Sequence, residues 1–391
     1  MVEWKKLGDV CEIKGRIGYR GYTREDQVER GNGAISLSPG NIIDSVLKYD
    51  SCTYITWEKY EESPEIMVKE GDIVLCKTAS VGKVARVRLL PEKSTINPQL
   101  VLIKNIKTHP QFLFYILDDA PFQQKIKGLA GVGSVPNVSQ AKLSSIEIPI
   151  PSLSEQTRIV GILDTFTASI ENLKEQIAQR RKQFEHYRDQ LLDLEGKEGV
   201  EMKTLGEIGK CVAGATPSTK EKSYWDNGDI PWMSSGEVHQ GIVKQTASFI
   251  TQKGYDNAST KMLPFDTVVI ALAGQGKTRG TVAITAIKLC TNQSLCGVVI
   301  KDENIINKYV YYYLKTRYDD LRRISSGEGT RGGLNLKMIG SYYVPIPSLK
   351  IQSRIVSILD TFEASIANLE AQLKEREKQY EYYRNKLLTF E

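Results

Sequence analysis

The sequence has few of the residues that build metal centres and disulfide frameworks. Its 391 residues include three histidines and six cysteines, and no two cysteines stand in a C-x-x-C spacing. We therefore expect neither a zinc cluster nor a disulfide scaffold, and such cysteine usage is typical of a reducing cytoplasm. No apolar run approaches the roughly 20 residues that cross a membrane, and the N-terminal M-V-E-W-K-K-L-G lacks a signal-peptide core. The sequence predicts a cytoplasmic protein with no membrane partner.

A strong charge of either sign is also missing, because the formal net charge is only +5. Residues 1–150 carry 20 Lys and Arg against 18 Asp and Glu, and residues 201–347 carry 18 against 13. Residues 151–195 carry 6 against 8, and residues 348–391 carry 7 against 7. The basic excess thus lies in residues 1–150 and 201–347. It suits an anionic partner without identifying one.

What the sequence does contain is one long stretch that occurs twice. Residues 149–194 and 345–390 align without a gap, and about 28 of the 46 positions are identical, far above chance. In both copies apolar residues recur at steps of three and four, the spacing of a helix that packs on a partner helix. The predicted helix-pairing residues are Ile159, Leu163, Phe166, Ile170, Leu173 and Ile177 in the first copy, and Ile355, Leu359, Phe362, Ile366, Leu369 and Leu373 in the second.

These two stretches predict two long helices that pair with each other. Ser154 is the candidate cap of the first helix, since serine accepts a hydrogen bond from the first turn. Arg180 and Arg376 interrupt the two apolar stripes at equivalent positions. We interpret them as residues that fix the register of one helix on the other.

The repeat extends to the globular segments that precede the helices. V-E-M-K-T-L-G-E-I at 200–208 echoes V-E-W-K-K-L-G-D-V at 2–10, so the chain is two tandem copies of a globular segment followed by a helix. Short β-type runs alternate with turn signals in the first globular segment, and one helix is predicted at 110–127. If the ends of the second segment lie close together, the second helix runs back antiparallel to the first. About 40 residues at 1.5 Å each predict a rod of ~60 Å with a globular segment at either end.

The expected fold class is α+β, with the symmetry of a pseudo-two-fold tandem repeat. Two mixed domains of helices and strands are joined by two long antiparallel helices, which form a coiled-coil spacer. A chain of this length is too long for one compact core, which supports the division. The predicted boundaries are 1–150 for the first globular segment, 151–195 for the first helix, 196–200 for a linker, 201–347 for the second globular segment and 348–391 for the second helix.

Four motifs together make a family resemblance specific. They are P-I-P-S-L-x-x-Q-x-R-I-V before each helix, G-A-T-P-S-T…Y-W-D-N-G-D-I-P-W-M-S-S-G-E-V at 214–238, G-D-I-V-L…V-G-K-V-A at 71–85 and G-E-G-T-R-G-G-L-N at 327–335. Over essentially the whole chain they resemble the specificity subunit of type I restriction-modification systems. The resemblance implies two target-recognition domains, each of which reads one half of a bipartite site in double-stranded DNA. It also implies spacer helices that bind two methyltransferase subunits, a separate restriction subunit, and no cofactor or catalysis in this chain.

Loops that mix cations, hydroxyls and aromatic rings are the candidates for DNA contact, because such side chains reach phosphates and base edges. In the first globular segment they are Lys14, Arg16, Tyr19, Arg20, Tyr22 and Arg24 in one Gly-rich loop, and Lys77, Thr78, Ser80, Lys83 and Arg86 in another. In the second they are Thr216, Ser218, Thr219, Lys220, Ser234, Ser235, Gln275, Lys277, Thr278, Arg279, Thr330 and Arg331. A solvated surface loop is the alternative interpretation of each group.

The two globular segments differ where the candidate loops lie. The second has T-P-S-T at 216–219, whereas the first has R-I-G-Y-R-G-Y-T at 16–23, so the resemblance suggests different half-sites. Trp225 and Trp232 are expected in the core, because duplex DNA leaves few bases on which a ring can stack.

Three competing functions find little support in the residues. A-L-A-G-Q-G-K-T at 271–278 approaches a nucleotide-binding loop, but β-type residues follow where a helix must begin, so we predict a strand-turn-strand loop. A methyltransferase needs an N-P-P-Y type motif and a nuclease needs clustered carboxylates with a lysine, and the sequence contains neither. A coiled-coil scaffold whose domains bind no ligand remains an alternative, and sequence-selective DNA binding would discriminate against it.

Overall fold

We describe the fold from a computed structural model of the chain, which describes residues 2–16, 21–131, 135–274, 277–325 and 333–390. The chain divides into two units. The first unit comprises residues 1–173 and 372–391, and the second comprises residues 174–371. Each unit therefore holds one globular segment and a part of both long helices. Within the described residues, no helix is both long enough and apolar enough to span a bilayer.

The first unit contains two four-stranded sheets. Its strands are β1 (Glu3–Lys6), β2 (Glu12–Lys14), β3 (Gln27–Val28), β4 (Gly33–Leu37), β5 (Ile42–Ile43), β6 (Val46–Leu47), β7 (Thr53–Thr56), β8 (Ile73–Cys76), β9 (Val84–Arg86), β10 (Ser94–Ile96), β11 (Leu100–Lys104) and β12 (Glu147–Ile150). Its helices are α1 (Leu7–Val10), α2 (Trp57–Glu61), α3 (Pro110–Asp118), α4 (Ala120–Leu129), α5 (Gln140–Ser144) and the start of α6 (Leu153–Leu192). The strand orders are β2-β11-β8-β9, which is antiparallel, and β10-β4-β7-β3.

The second unit repeats this plan with a five-stranded and a three-stranded sheet in place of the two four-stranded sheets. Its strands are β13 (Glu201–Thr204), β14 (Gly209–Ala213), β15 (Ile230–Met233), β16 (Ile242–Val243), β17 (Ser248–Ile250), β18 (Val268–Ala271), β19 (Val282–Thr285), β20 (Cys290–Thr291), β21 (Leu295–Ile300) and β22 (Tyr343–Ile346). Its helices are α7 (Leu205–Ile208), α8 (Gln252–Asn257), α9 (Asn307–Thr316), α10 (Tyr318–Arg323), α11 (Leu336–Gly340) and most of α12 (Leu349–Leu388). The strand orders are β14-β21-β18-β19-β16 and β17-β15-β20.

The correspondence between the units confirms the tandem repeat. In the larger sheets β14, β21, β18 and β19 take the places of β2, β11, β8 and β9. In the smaller sheets the parallel pair β15–β20 takes the place of the parallel pair β4–β10. The second unit adds β16 to its larger sheet, where the first unit forms the separate β5–β6 hairpin.

A short antiparallel ribbon joins the two ends of each globular segment. β1 pairs with β12 so that Glu3 lies opposite Ile150, and β13 pairs with β22 so that Glu201 lies opposite Ile346. The strand that begins each segment therefore lies beside the strand that leads into its long helix. The two ends of each segment are therefore close together, which is the condition under which the sequence predicted antiparallel helices.

The long helices pair in the antiparallel sense within each unit. In the first unit the Phe166 ring of α6 packs on Tyr380 and Tyr383 of α12, with ring centroids 6.5 and 5.3 Å apart. In the second unit the Phe362 ring of α12 packs on Phe184 and Tyr187 of α6, at 6.3 and 5.5 Å. Early residues of α6 thus meet late residues of α12, and the reverse holds in the second unit.

The residues predicted to pair the helices are all buried or half-buried. Ile159 and Leu163 also join the core of the first globular segment, and Ile355 and Leu359 join that of the second. The early turns of each long helix therefore pack on their own globular segment as well as on the late turns of the other helix.

Details at the helix ends differ from the sequence-based expectations. The cap of α6 is Ser152, whose hydroxyl accepts a hydrogen bond from the Glu155 amide at 3.3 Å, so the prediction of Ser154 was wrong. The helix predicted at 110–127 is two helices, because the chain is extended at Asp119 between α3 and α4. The interruptions of the apolar stripes lie over aromatic rings, with Arg376 5.6 Å from the Phe166 centroid and Arg180 5.8 Å from that of Phe362.

Candidate nucleic-acid interface

A buried glutamine fixes each globular segment to the start of its long helix. Gln156 is 3% exposed, accepts a hydrogen bond from the His109 amide at 2.9 Å and donates to the Pro151 carbonyl at 2.8 Å. Gln352 is fully buried and makes the same contacts with the Ile306 amide and the Pro347 carbonyl. Sequence reasoning missed this role. The available signal was an uncharged polar residue, identical in both copies, three residues before the apolar stripe begins.

A tyrosine and an aspartate form a second equivalent contact. The Tyr115 hydroxyl of α3 donates to Asp164 of α6, and the Tyr312 hydroxyl of α9 donates to Asp360 of α12 at 2.7 Å. Burial and the neighbouring carboxylate both raise the pKa of each tyrosine, so both phenols stay protonated as donors. These contacts hold each segment in a fixed orientation on its helix, which any DNA-reading loop on that segment requires.

The strand ends place the candidate loops of the first unit along one edge, which we call the first loop edge. β2 and β8 end where β11 and β9 begin, because the sheet is antiparallel. The ends of β4 and β10 join this edge through a hydrogen bond from the Asn97 amide to the Leu37 carbonyl at 2.8 Å. The first loop edge comprises residues 14–16, 37–39, 77–83 and 97–99.

Predicted DNA-contacting residues of the first loop edge have different environments. Ser80 and Lys83 are exposed, although the Lys83 amine lies 3.4 Å from the Pro39 carbonyl. Thr78 donates to Asn137 at 2.7 Å, and Lys77 beside it is half-buried. Lys14 forms an ion pair with Glu12 at 3.1 Å. Ser80 and Lys83 are therefore exposed on this edge, beside half-buried cations and a half-buried hydroxyl.

Arg16 lies inside the first unit. Its side chain is 5% exposed and donates to the Ile96 carbonyl and the Thr95 hydroxyl, both at 3.2 Å. Its guanidinium also lies 5.4 Å from the Tyr22 ring, and burial lowers its pKa. These contacts connect β2 to the end of β10. We therefore leave Arg16 out of the DNA contacts proposed below.

The other predicted DNA-contacting residues of the first unit lie outside the first loop edge. Arg24 is exposed, and Tyr22 is half-buried with its hydroxyl accepting a bond from Ser36 at 2.8 Å. Arg86 turns toward α3, where it donates to Gln111 at 3.0 Å, so it does not join the first loop edge. Tyr19 and Arg20 lie outside the described residues.

The second unit has an equivalent edge, the second loop edge, whose residues are 213–220, 234–236, 271–274, 277–281 and 291–294. Two tryptophans hold its first loop. Trp232 is 7% exposed and donates to the Ala215 carbonyl at 3.0 Å, and Trp225 donates to the Ser218 carbonyl at 3.1 Å. The rings meet edge to face at 5.1 Å. Trp232 is a core residue, as predicted, and it leaves Thr216, Thr219 and Lys220 exposed.

The candidates after β18 divide into exposed and buried residues. Lys277 is exposed, and the Thr278 hydroxyl lies 3.4 Å from His239. Arg279 is only 6% exposed, so we leave it out of the proposed contacts as well. Ser234 caps a short helix by a capping box with Glu237, and Ser235 beside it is half-buried. Gln275, Thr330 and Arg331 lie outside the described residues.

The resemblance of residues 271–278 to a nucleotide-binding loop does not extend to the fold. β18 and β19 pair antiparallel on either side of this segment, with Ile270 opposite Val282. A phosphate loop needs a following helix, and a strand follows here instead, so the predicted strand-turn-strand loop is confirmed. Among the residues that the structure describes, no group of three His, Cys, Asp or Glu side chains could hold a metal ion.

Comparison with known proteins agrees with this geometry. The type I restriction modification DNA specificity domain matches residues 1–180 and again 197–378. The type I restriction enzyme EcoR124I/EcoR124II specificity subunit from Escherichia coli is 36% identical over 311 residues, which are 76% of this chain and 75% of that protein. A putative type I restriction enzyme specificity subunit from Haemophilus influenzae is 31% identical over 298 residues, 73% of either chain.

Solved structures share the fold over almost the whole length. The S subunit of a type I restriction-modification system from M. genitalium superposes with a TM-score of 0.63 at 17% identity, covering 100% of this chain and 97% of that one. The HsdS subunit from Thermoanaerobacter tengcongensis gives a TM-score of 0.53 at 18% identity, covering 99% and 96%. The two domain matches and the long, closely related sequences show that the chain belongs to the type I restriction-modification DNA specificity family.

Proposed function

We propose that this chain provides the DNA sequence specificity of a type I restriction-modification complex and carries out no catalysis itself. The observation that supports the proposal best is the contrast between its repeated and unrepeated parts. Two units share the order of four strands in their larger sheets and closely similar helices, yet their loop edges differ in sequence and in the residues that hold them. Such a chain reads two different half-sites with two copies of one scaffold, so its DNA site is bipartite and asymmetric.

The proposed DNA contacts are the accessible members of the two loop edges and the exposed loop before β3. Cations there neutralise phosphates, and hydroxyls and amides reach base edges. The cations are Lys14, Arg24, Lys77, Lys83, Lys220 and Lys277. The hydroxyl side chains are Thr78, Ser80, Thr216, Ser218, Thr219 and Thr278. The first group should set the salt dependence of binding, and the second should contribute to sequence selectivity.

Domain exchange tests the division of labour. Residues 1–148 would be replaced by the same segment of a relative with a different target, and the methylated motif would be read by modification-aware sequencing of host DNA. Because each unit has its own loop edge, one half of the motif should change while the other half and the gap persist. A change in both halves would contradict independent reading.

The partners follow from membership of the complex: double-stranded DNA, methyltransferase subunits and a restriction subunit. We propose two methyltransferase copies, because both units expose the same helix face. Leu153 and Leu349, the first residues of α6 and α12, are 64% and 45% exposed. Thr165 and Thr361, which lie at equivalent positions later in α6 and α12, are exposed as well. Native mass spectrometry should find two methyltransferases per chain, and a fully active 1:1 complex would contradict the proposal.

The paired helices are proposed to set the gap between the half-sites. One heptad inserted in α6 after Leu173 and another in α12 after Ala371 would lengthen both helices by ~10 Å and preserve the apolar stripes. The gap should grow by about three base pairs at 3.4 Å each, while both half-sites remain unchanged. A folded variant that still methylates with the parental gap would show that the helices do not determine spacing.

A further inference from the structure

One exposed amide on the second loop edge was absent from the sequence-based candidates. Gln293 lies in the turn between β20 and β21, and its side chain is exposed. The turn is rigid, because the Asn292 amide donates to the Met233 carbonyl at 3.1 Å and the Ser294 amide donates to the Asn292 side chain at 3.1 Å. The Ser294 carbonyl in turn accepts a bond from Leu272 at 2.8 Å. Gln293 therefore projects from a fixed backbone.

Thr216 fixes the orientation of this amide. Its hydroxyl donates to the Gln293 Oε1 atom at 2.6 Å. The backbone of Thr216 is itself held, because the preceding Ala215 amide donates to the Thr291 carbonyl at 2.9 Å and the following Pro217 is buried. Gly214 permits this approach, since a Cβ atom there would lie 1.9 Å from the Thr291 oxygen.

The hydrogen bond from Thr216 leaves the amide nitrogen as the outward-facing part of the Gln293 side chain. The hydroxyl occupies one side of Oε1, so the two N–H groups of Nε2 are directed away from Thr216. No acceptor for Nε2 occurs among the described residues of the unit. A fixed donor on an exposed loop edge is suited to an acceptor on a ligand, because it loses little side-chain entropy on binding.

We propose that Gln293 reads a base in the half-site of the second unit and that Thr216 is its positioning residue. The inference rests on the proposed function and names a specificity determinant within it. In the major groove guanine offers two acceptors, N7 and O6, whereas cytosine offers only its N4 donor. The outward N–H groups of Gln293 therefore match the guanine of a G·C pair best and favour that pair over A·T.

The first unit holds a comparable amide in a different way. Gln99 lies in the equivalent turn between β10 and β11, and its Oε1 accepts a bond from the Asn97 side chain at 3.1 Å. Gln99 corresponds to Ser294, one position after Gln293, and it is half-buried. The two amides thus occupy different places on equivalent edges. Gln99 therefore provides a matched variant outside the second half-site.

The test uses the full complex with its methyltransferase subunits and a library of DNA duplexes randomised through the site. The wild-type complex is first used to establish the preferred bases in both half-sites. Gln293→Glu keeps the side-chain shape and the acceptor for Thr216 but removes both N–H donors. Preference at one or two adjacent positions of the second half-site should fall about tenfold, as for loss of a specific base contact. The first half-site should be unchanged.

Positioning by Thr216 is tested with two further variants. Thr216→Val removes the hydroxyl and should weaken preference at the same positions, whereas Thr216→Ser keeps the hydroxyl and should retain the wild-type preference. Gln99→Glu should leave the second half-site unchanged. Since Gln293 and Thr216 are both exposed, these variants should fold, and an unchanged first half-site checks this directly.

Three results would overturn the inference. The first is an unchanged preference in Gln293→Glu, and the second is a wild-type preference for an A·T pair at the affected position. The third is a uniform loss of binding in both half-sites with an altered salt dependence, which would indicate a phosphate contact. A wild-type complex that selects no bipartite sequence would instead overturn the proposed function, so the two failures are distinguishable.

Discussion

The two globular segments meet equivalent helix surfaces with opposite charges. In the first unit Asp118, three residues after Tyr115, lies 3.2 Å from the Arg384 guanidinium of α12. In the second unit the residue three after Tyr312 is Lys315, which lies 3.7 Å from Glu363. The residue equivalent to Arg384 is Arg188 of α6, whose charge lowers the pKa of Lys315 in addition to the larger effect of burial.

The difference shows that each helix has residues matched to its own segment. Both helices keep an arginine at the equivalent place, but Thr167 of α6 is replaced by Glu363 in α12. Glu363 also accepts a bond from the Tyr312 hydroxyl at 2.9 Å. The shared glutamine and tyrosine contacts orient the segments, whereas the charges distinguish them. We therefore expect that the segments cannot be exchanged between helix ends without a loss of stability.

Reversing the charge of Arg384 should have the largest effect. Arg384→Glu leaves Asp118 and Asp119 in a partly buried cluster of three carboxylates, and breaking a buried pair costs about 3–5 kcal/mol. Hydrogen exchange monitored by mass spectrometry should show the loss in the first unit. The matched variant Arg188→Glu removes a charge that opposes Lys315, so it should cost much less. Equal losses would contradict the comparison.

Transplanting the second arrangement into the first unit is expected to have an intermediate effect. Asp118→Lys places a cation opposite Arg384 without a new partner, and we expect a loss of about 2 kcal/mol in the free energy of unfolding. Adding Thr167→Glu supplies the carboxylate that Lys315 has in the second unit and should recover about half of the loss. Chemical denaturation of the single and double variants measures the coupling. Additive effects would show that position 167 does not determine which charge is tolerated.

Removal of the tyrosine hydroxyls should have smaller and unequal effects. Tyr115→Phe deletes a hydrogen bond to the Asp164 carboxylate, which costs about 1.5 kcal/mol. Tyr312→Phe deletes bonds to both Asp360 and Glu363, so it should cost more, although Lys308 still pairs with Asp360 at 2.8 Å. Thermal unfolding of both variants tests the order, and a larger loss in Tyr115→Phe would reverse it.

The smallest expected difference is in the pH dependence. Burial raises the folded-state pKa of Asp118 above its unfolded value near 4, so the unfolded chain binds fewer protons between these values. The contribution of Asp118 therefore makes the first unit less stable as pH rises through that window. Burial lowers the folded-state pKa of Lys315, so its contribution makes the second unit more stable as pH rises from that value toward ~10.4.

Two neutral variants test these slopes. Asp118→Asn should weaken the pH dependence of the first unit's stability in the acid range. Lys315→Gln should weaken that of the second unit in the alkaline range. Hydrogen exchange measures the stability of each unit separately. If a variant leaves the pH dependence of its unit unchanged, the substituted residue, Asp118 or Lys315, does not titrate in that range.

The sequence alone determined the repeat, the paired helices and the family. These depend on identity at a fixed period and on apolar spacing, which are local properties of the chain. It also indicated some loops of the two loop edges, among them 77–83 and 216–220, because turn residues and strand ends are readable in order, but it did not indicate 97–99 or 291–294. It could not place Arg16 and Arg279, since their burial depends on strands far away in the chain.

Only the tertiary structure showed which polar residues meet. Gln156 contacts the start of α3, Thr216 meets Gln293 across 77 residues, and Asp118 meets Arg384 across 266 residues of sequence. No local pattern encodes these pairs, because hydrogen bonds and ion pairs between distant segments depend on how sheets and helices pack. The sequence supplies the hydrogen-bond donors and acceptors. The packing determines which of these side chains hold the fold together and which, such as the Gln293 amide, remain exposed on the loop edge.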